Sequence, residues 1–116
     1  AGYCEGGYIT ALALWSNNLV GALPPETGAL SSLRTLSLFD NKLNMALPKS
    51  LVRLDMLGRL YVQRNNFKAD LDYLCEMPRL KAFAADCGKR KGVKCSCCNR
   101  CGVNKRLDKE DMQGGW

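Results

Sequence analysis

The chain has 116 residues, 47% hydrophobic and 24% charged, with a formal charge of +6. This is about one domain with a modest core, and it excludes wholesale disorder. No run of 18 apolar residues occurs, so no segment here reads as a membrane-spanning helix, and the absence of histidine removes the commonest general base, every Ser-His or Cys-His nucleophile pair and all His-containing zinc sites.

In chain order the first feature is Cys4, alone in Tyr3-Cys4-Glu5-Gly6-Gly7-Tyr8. A repeat follows. Leu12, Leu36 and Leu60 are 24 residues apart, and so are Leu14, Leu38 and Val62, Asn17, Asn41 and Asn65, Leu19, Leu43 and Phe67, and Leu23, Leu47 and Leu71. Leu33 and Leu57 open two units, and Ile9 is the matching position in the first. Leu80, Phe83 and Ala85 begin a fourth unit one residue early. A leucine-rich helical bundle fails as an alternative. The centre of each unit alternates with period two, and Pro24, Pro25 and Pro48 fall where a helix would have to continue.

The spacing predicts one short strand per unit, at Ala11–Leu14, Thr35–Leu38 and Arg59–Val62. Their leucines point inward, and only stacking of units can bury them. Asn17, Asn41 and Asn65 follow the strands, where a side-chain amide can satisfy turning backbone, so they are expected to form a ladder. The outward positions form columns. Trp15, Phe39 and Gln63 make one, and Ala13, Ser37 and Tyr61 the next. Ser16, Asp40 and Arg64 make a third, in which Asp40 and Arg64 are about 4.8 Å apart between strands and can pair. Arg34 and Arg59 border them. Exposed Trp15, Phe39 and Tyr61 beside Gln63, Asp40, Arg34, Arg59 and Arg64 have the composition of a binding hot spot. Plain cross-strand stacking of Trp15 on Phe39 is the alternative. Asp55, Asp70 and Asp72 belong to no motif and read as solvated surface.

Composition changes beyond residue 78. Residues 1–78 carry seven basic and seven acidic side chains, whereas residues 79–116 carry ten and four, the whole of the +6. Cys75, Cys87, Cys95, Cys97, Cys98 and Cys101 all lie in the second half of the chain. Two readings stand. One is a zinc site over 87–101 built on Cys98-x-x-Cys101. The other, which we prefer, is a disulfide cap over the last hydrophobic face, where leucines are too few to cover it. Six cysteines allow fifteen connectivities, and only a direct Cys97–Cys98 bridge is disfavoured by geometry. The basic run Lys89-Arg90-Lys91, with Lys94, Arg100, Lys105 and Arg106, lacks interleaved aromatics and any nucleic-acid motif. It reads as a solvated basic cap, with anionic polysaccharide or lipid headgroups as further partners. The tail 104–116 is expected to be poorly ordered.

The segments LALWSNNLVGALPPETGALSSL and LSLFDNKLNMALPKSLVRL resemble the plant-type, 24-residue subfamily of extracellular leucine-rich repeats, L-x-x-L-x-L-x-x-N-x-L-x-G-x-(I/L)-P, over roughly residues 8–86. The run L-C-x-x-x-P-x-L…A-D-C…V-x-C-x-C-C-x-x-C resembles the C-terminal flank of such ectodomains in receptor-like proteins of plants and microalgae. Asn44 and Lys68 replace the subfamily glycine that Gly21 keeps, and Asp72 replaces its proline, which should weaken the second short sheet.

The resemblance implies an α/β-type repeat solenoid: a short right-handed coil with a parallel concave sheet, mostly strand and loop with little helix, and a C-terminal disulfide cap. It divides the chain into a remnant of an N-terminal cap at 1–8, repeats at 9–86, a cysteine-rich cap at 87–103 and a tail at 104–116. Cys4 then matches a cap cysteine whose partner would lie upstream, so the chain is expected to be a fragment, with a free Cys4 thiol as the alternative. The implied function is non-catalytic recognition of a protein, peptide or glycan on the concave face of an extracellular or cell-surface protein, with no cofactor and no nucleic acid. Inhibition of a secreted, wall-degrading enzyme is the runner-up.

Overall fold

A computed structural model describes residues 2–66, 68–87 and 92–101. Phe67, the run Lys89-Arg90-Lys91, Lys105, Arg106 and the tail 104–116 lie outside the described residues.

Strands β1 (Gly2–Glu5), β2 (Tyr8–Ala13), β4 (Thr35–Ser37), β6 (Arg59–Tyr61), β8 (Ala82–Ala85) and β10 (Arg100–Cys101) form one sheet in the order β1-β2-β4-β6-β8-β10. From β2 onward all pairs are parallel. The register is the sequence period itself: Leu12 faces Leu36, which faces Leu60, which faces Phe83. The last step is one residue short, as the early start of the fourth unit requires. β4 and β6 end one residue sooner than expected, but the ladder continues, with the Leu38 N–H on the Tyr61 carbonyl at 2.8 Å and the Val62 N–H on that of Ala84 at 2.9 Å.

The returning segments form 3-10 turns at Pro25–Ala29, Lys49–Arg53 and Asp72–Glu76. Pro24 and Pro48 precede the first two with extended backbone, φ −67° and −68°, which suits the residue that feeds a turn. No α-helix occurs among the described residues. The turns stack closely. The Ser50 hydroxyl donates to the Pro25 carbonyl at 2.6 Å, and Gly28 lies so near that a Cβ there would overlap the Ser50 carbonyl oxygen.

The second short sheet is interrupted. β3 (Val20–Gly21) pairs with β5 (Lys42–Leu43), and β7 (Ala69–Asp70) pairs with β9 (Val93–Lys94), with no ladder joining the two among the described residues. The gap falls between β5 and β7, the two units that carry Asn44 and Lys68.

Leu33, Leu36, Leu38, Leu51, Leu54, Leu57, Leu60, Val62, Leu71 and Leu74 are fully buried between the sheet and the turns. The first unit differs. Leu12, Leu14, Leu19 and Leu23 are only partly buried. Ile9, which matches Leu33 and Leu57 in the repeat, is 37% exposed, because the side that a preceding unit would cover is occupied by the hairpin of β1 and β2, in which Ile9 pairs with Cys4. Neither that hairpin nor β10 follows from the 24-residue period.

The cysteine-rich end adds a further rung to each sheet, β10 beside β8 and β9 beside β7. Cys75 bonds Cys97, Cys87 bonds Cys101 and Cys95 bonds Cys98. The neighbours Cys97 and Cys98 thus each bond elsewhere. Cys4 is free and exposed.

Candidate functional site

The concave face is built by the asparagines behind it. Asn41 is buried and makes five hydrogen bonds to backbone. Its Oδ1 accepts from the N–H groups of Asn17 and Leu19, both at 3.0 Å. Its Nδ2 donates to the carbonyls of Leu14 (2.9 Å), Leu38 (3.0 Å) and Phe39 (3.4 Å). Asn65 repeats the pattern one rung on, accepting from Leu43 at 3.1 Å and donating to Leu38 and Val62 at 3.0 Å and to Gln63 at 3.4 Å. Asn17 makes only a bond to the Trp15 carbonyl at 3.3 Å through its side chain. Beyond Asn65 the ladder changes chemistry. The Asp86 carboxylate accepts from the N–H groups of Arg64 (2.7 Å) and Asn65 (2.9 Å). Asn99 closes the next strand, its Oδ1 accepting from the Phe83 N–H at 2.9 Å and its Nδ2 donating to the Lys81 carbonyl.

This scaffold holds the same position of three successive rungs in the left-handed region. Ser16, Asp40 and Arg64 have φ of 58°, 59° and 59°, a conformation that costs a non-glycine residue about 1 kcal/mol or more. Their side chains then converge. Arg64 Nη2 lies 3.1 Å from Asp40 Oδ1, and the Ser16 hydroxyl donates to Asp40 Oδ2 at 2.6 Å.

The aromatic columns are not exposed as expected. Phe39 is fully buried, Tyr61 is 6% exposed and Gln63 2%. Trp15 stacks on Phe39 with ring centroids 5.4 Å apart and planes inclined by 14°, and Tyr61 and Ala84 join the same apolar cluster. The rung spacing brings flat side chains on adjacent strands into van der Waals contact, so each ring removes its neighbour from water. Trp15, half-buried, is the accessible lip of this cluster. Around it sit three buried polar atoms with no hydrogen-bond partner: Trp15 Nε1, Gln63 Oε1 and Arg64 Nη1.

The expected site also divides in two. Arg34 and Arg59 are exposed at the start of β4 and β6, whereas Trp15, Phe39, Asp40, Gln63 and Arg64 lie past the ends of the strands, with Tyr61 between the groups. Arg79 and Lys81, which nothing in the repeat singled out, join Arg34 and Arg59 around one groove.

The cysteines offer no thiolate set for a metal. Sulfurs of Cys75, Cys95 and Cys97 lie within 4.8 Å of one another, but each is consumed in a bridge, and zinc binds cysteine as the thiolate. Asp72 anchors this end: its Oδ1 accepts from the Ser96 N–H at 2.7 Å and from the Ser96 hydroxyl at 3.0 Å, with Lys94 at 3.4 Å from Oδ2. Chiefly the backbone bond from Ser96 holds its carboxyl below the ordinary 3.8.

Residues 8–67 match the family model described as leucine rich repeat, which is just over half of the chain. The chain is 38% identical to receptor-like kinase TMK4 of Arabidopsis thaliana over 64 residues, 55% of this chain, and 42% identical to Cuscuta receptor 1 of Solanum lycopersicum over 74 residues, 62% of this chain. It spans only 7% of the length of either relative. A chain of the crystal structure of the BIR3–SERK2 complex from Arabidopsis thaliana superposes with a TM-score of 0.65 at 23% identity, covering 81% of this chain and 61% of that one.

Proposed function

The chain belongs to the leucine-rich repeat family, and from that premise we propose that its concave face recognises a protein or peptide partner and performs no chemistry of its own. The observation that carries this reading is the half-exposed Trp15 ring, stacked on the buried Phe39 at the lip of the apolar cluster that Tyr61 and Ala84 complete. A partly exposed aromatic side chain on a firm apolar base, with Arg64 on the next column, has the composition of a protein-binding hot spot. Trp15 is the entry point because it alone of the cluster's rings is half-exposed.

Other observations agree. The relatives named above are receptor proteins, and the solved neighbour is a chain in a complex of two proteins. Three disulfides in so short a stretch suit an oxidising compartment, which supports an extracellular or cell-surface location.

Selection of a displayed random peptide library on the chain tests the reading. Enriched peptides should bind Trp15→Ala and Arg64→Ala more than tenfold more weakly, as at an aromatic or arginine hot spot, while both variants keep the wild-type melting transition to within a few degrees. Peptides that bind both variants as tightly as the wild type would place recognition elsewhere.

A further inference from the structure

The cystines at the C-terminal end are not independent of one another. The sulfurs of Cys75, Cys95 and Cys97 all lie within 4.8 Å of one another, yet they belong to two bridges, Cys75–Cys97 and Cys95–Cys98. A thiolate released from one of two such bridges stands within reach of the other after a modest side-chain rotation, and thiolate on disulfide is the exchange reaction. Access to the sulfurs is unequal. Cys97 is exposed, whereas Cys75, Cys95 and Cys98 are half-buried, so a thiol from solution meets Cys97 first. The surroundings of Cys75 give the next step its direction. Asp72 Oδ1 is 4.0 Å from the Cys75 sulfur and the Ser96 hydroxyl 3.9 Å, with Lys94 on the other carboxylate oxygen at 3.4 Å. A thiolate freed on Cys75 therefore faces a carboxylate oxygen that repels it, while Cys95 offers a disulfide sulfur to attack. The third bridge lacks these features. Cys87 is buried, and neither it nor Cys101 belongs to the close trio.

We infer that the cysteine-rich end is a thiol–disulfide exchange site entered at Cys97, whose reactant is a small thiol of the glutathione class. The reactant thiolate bonds to Cys97 Sγ, the Cys75–Cys97 bond breaks and Cys75 leaves with the electron pair. Cys75 then bonds to Cys95 Sγ, the Cys95–Cys98 bond breaks and Cys98 leaves as thiolate. A second thiol attacks the sulfur of the first, releasing Cys97 and completing the disulfide of the reactant. In sum two thiols are oxidised to one disulfide, their two protons end on Cys97 and Cys98, and a Cys75–Cys95 bridge replaces the two original ones. That bridge still ties the end of the chain to the 3-10 turn Asp72–Glu76, in which Cys75 lies. Cys97 and Cys98 become vicinal thiols. Consecutive Cα atoms are about 3.8 Å apart, short of the about 4.4 Å that a relaxed bridge needs, so the pair stays open to solvent. The exchange site is independent of the concave-face reading above.

The test uses the full chain with Cys4 first blocked by iodoacetamide. Limiting reduced glutathione is added, free thiols are trapped with N-ethylmaleimide, and tryptic peptides are mapped by fragmentation. Cleavage after Lys68, Arg79, Lys94 and Arg100 separates Cys75 from the peptide that holds Cys95, Cys97 and Cys98. The first species with two maleimide labels should carry them on Cys97 and Cys98, with the Cys75 peptide still linked through Cys95. Labels on Cys75 and Cys97, with the peptides apart, would mean reduction without transfer. Labels on Cys95 and Cys98, or on Cys87 and Cys101, would mean that a different bridge opens first. Each of these three results, or no label before the chain unfolds, would overturn the inference. In Cys95→Ser/Cys98→Ser the acceptor bridge is gone, so the two labels should move to Cys75 and Cys97. Failure of Cys75 to take a label there would also overturn it. If that variant does not fold, the wild-type map decides alone.

Discussion

Arg64 and Asp40 occupy equivalent positions on adjacent rungs, both with φ of 59°, and their charged groups meet at 3.1 Å. Equivalent residues in a solenoid repeat the same backbone, so a strained conformation repeats too, and here the repeated strain points two opposite charges at each other. With side chains 21% and 34% exposed, the pair sits between the buried and the fully screened case. A double-mutant cycle with Asp40→Ala and Arg64→Ala, read by urea unfolding, should give a coupling of about 0.5–1 kcal/mol. A coupling indistinguishable from zero would mean that the pair contributes nothing to stability.

The asparagine ladder makes a sharper contrast. Asn41→Ala removes five hydrogen bonds and strands buried N–H and carbonyl groups, so it should cost about 2–4 kcal/mol. Asn17→Ala removes one long bond from an exposed side chain and should cost about 0.5 kcal/mol or less. Denaturant midpoints of the two variants decide the matter. Equal losses would contradict the ladder as the source of stability.

On the convex side the stacking of turns depends on a missing side chain. Gly28→Ala would bring a Cβ to 2.7 Å from the Ser50 Cβ and 2.8 Å from its carbonyl carbon. Backbone must move to admit it, at about 1–3 kcal/mol. The expected readout is a melting temperature several degrees lower, partly restored in Gly28→Ala/Ser50→Gly if the Ser50 side chain is half of the obstacle.

Acid should act through Asp72. Its carboxyl titrates below the ordinary 3.8 in the folded chain, first because of the Ser96 backbone N–H. A depressed folded-state value stabilises the protein above the unfolded value, and that contribution disappears as pH falls through the folded one. Thermal melts from pH 7 down to pH 2 should show a loss of stability in the wild type below about pH 4, and part of that loss should be missing in Asp72→Asn. A variant with the same acid profile as the wild type would exclude Asp72 as the origin.

How much of this the sequence disclosed follows from what repeats. Leu36, Leu60 and Asn41 were legible because stacking imposes one requirement at each rung, and a requirement met every 24 residues leaves a period. Asp86 and Asn99 do the same work as the asparagines but close the array once, so no period marks them. Alternation set Phe39 and Gln63 apart from the inward leucines, and Phe39 does lie in a cluster separate from theirs, yet alternation said nothing of what else packs there, and the burial of both went unforeseen. Arg79 and Lys81 escaped because they enter the groove from the shortened fourth unit, one residue out of step with Arg34 and Arg59. The six bonding cysteines were readable as a set, but their partners depend on how the chain folds back between Cys87 and Cys101.

All three bridges fall between Cys75 and Cys101, while the leucines of the first unit remain half-wet. Each rung leans only on its neighbours, so opening free energy should climb along the coil, from β2 to β8. The molecule is then a ratchet with one riveted end. Thermal excursions enter at Leu12 and Leu14 and die out before the cystines, and the groove between β4 and β8 rests on the part that stays shut.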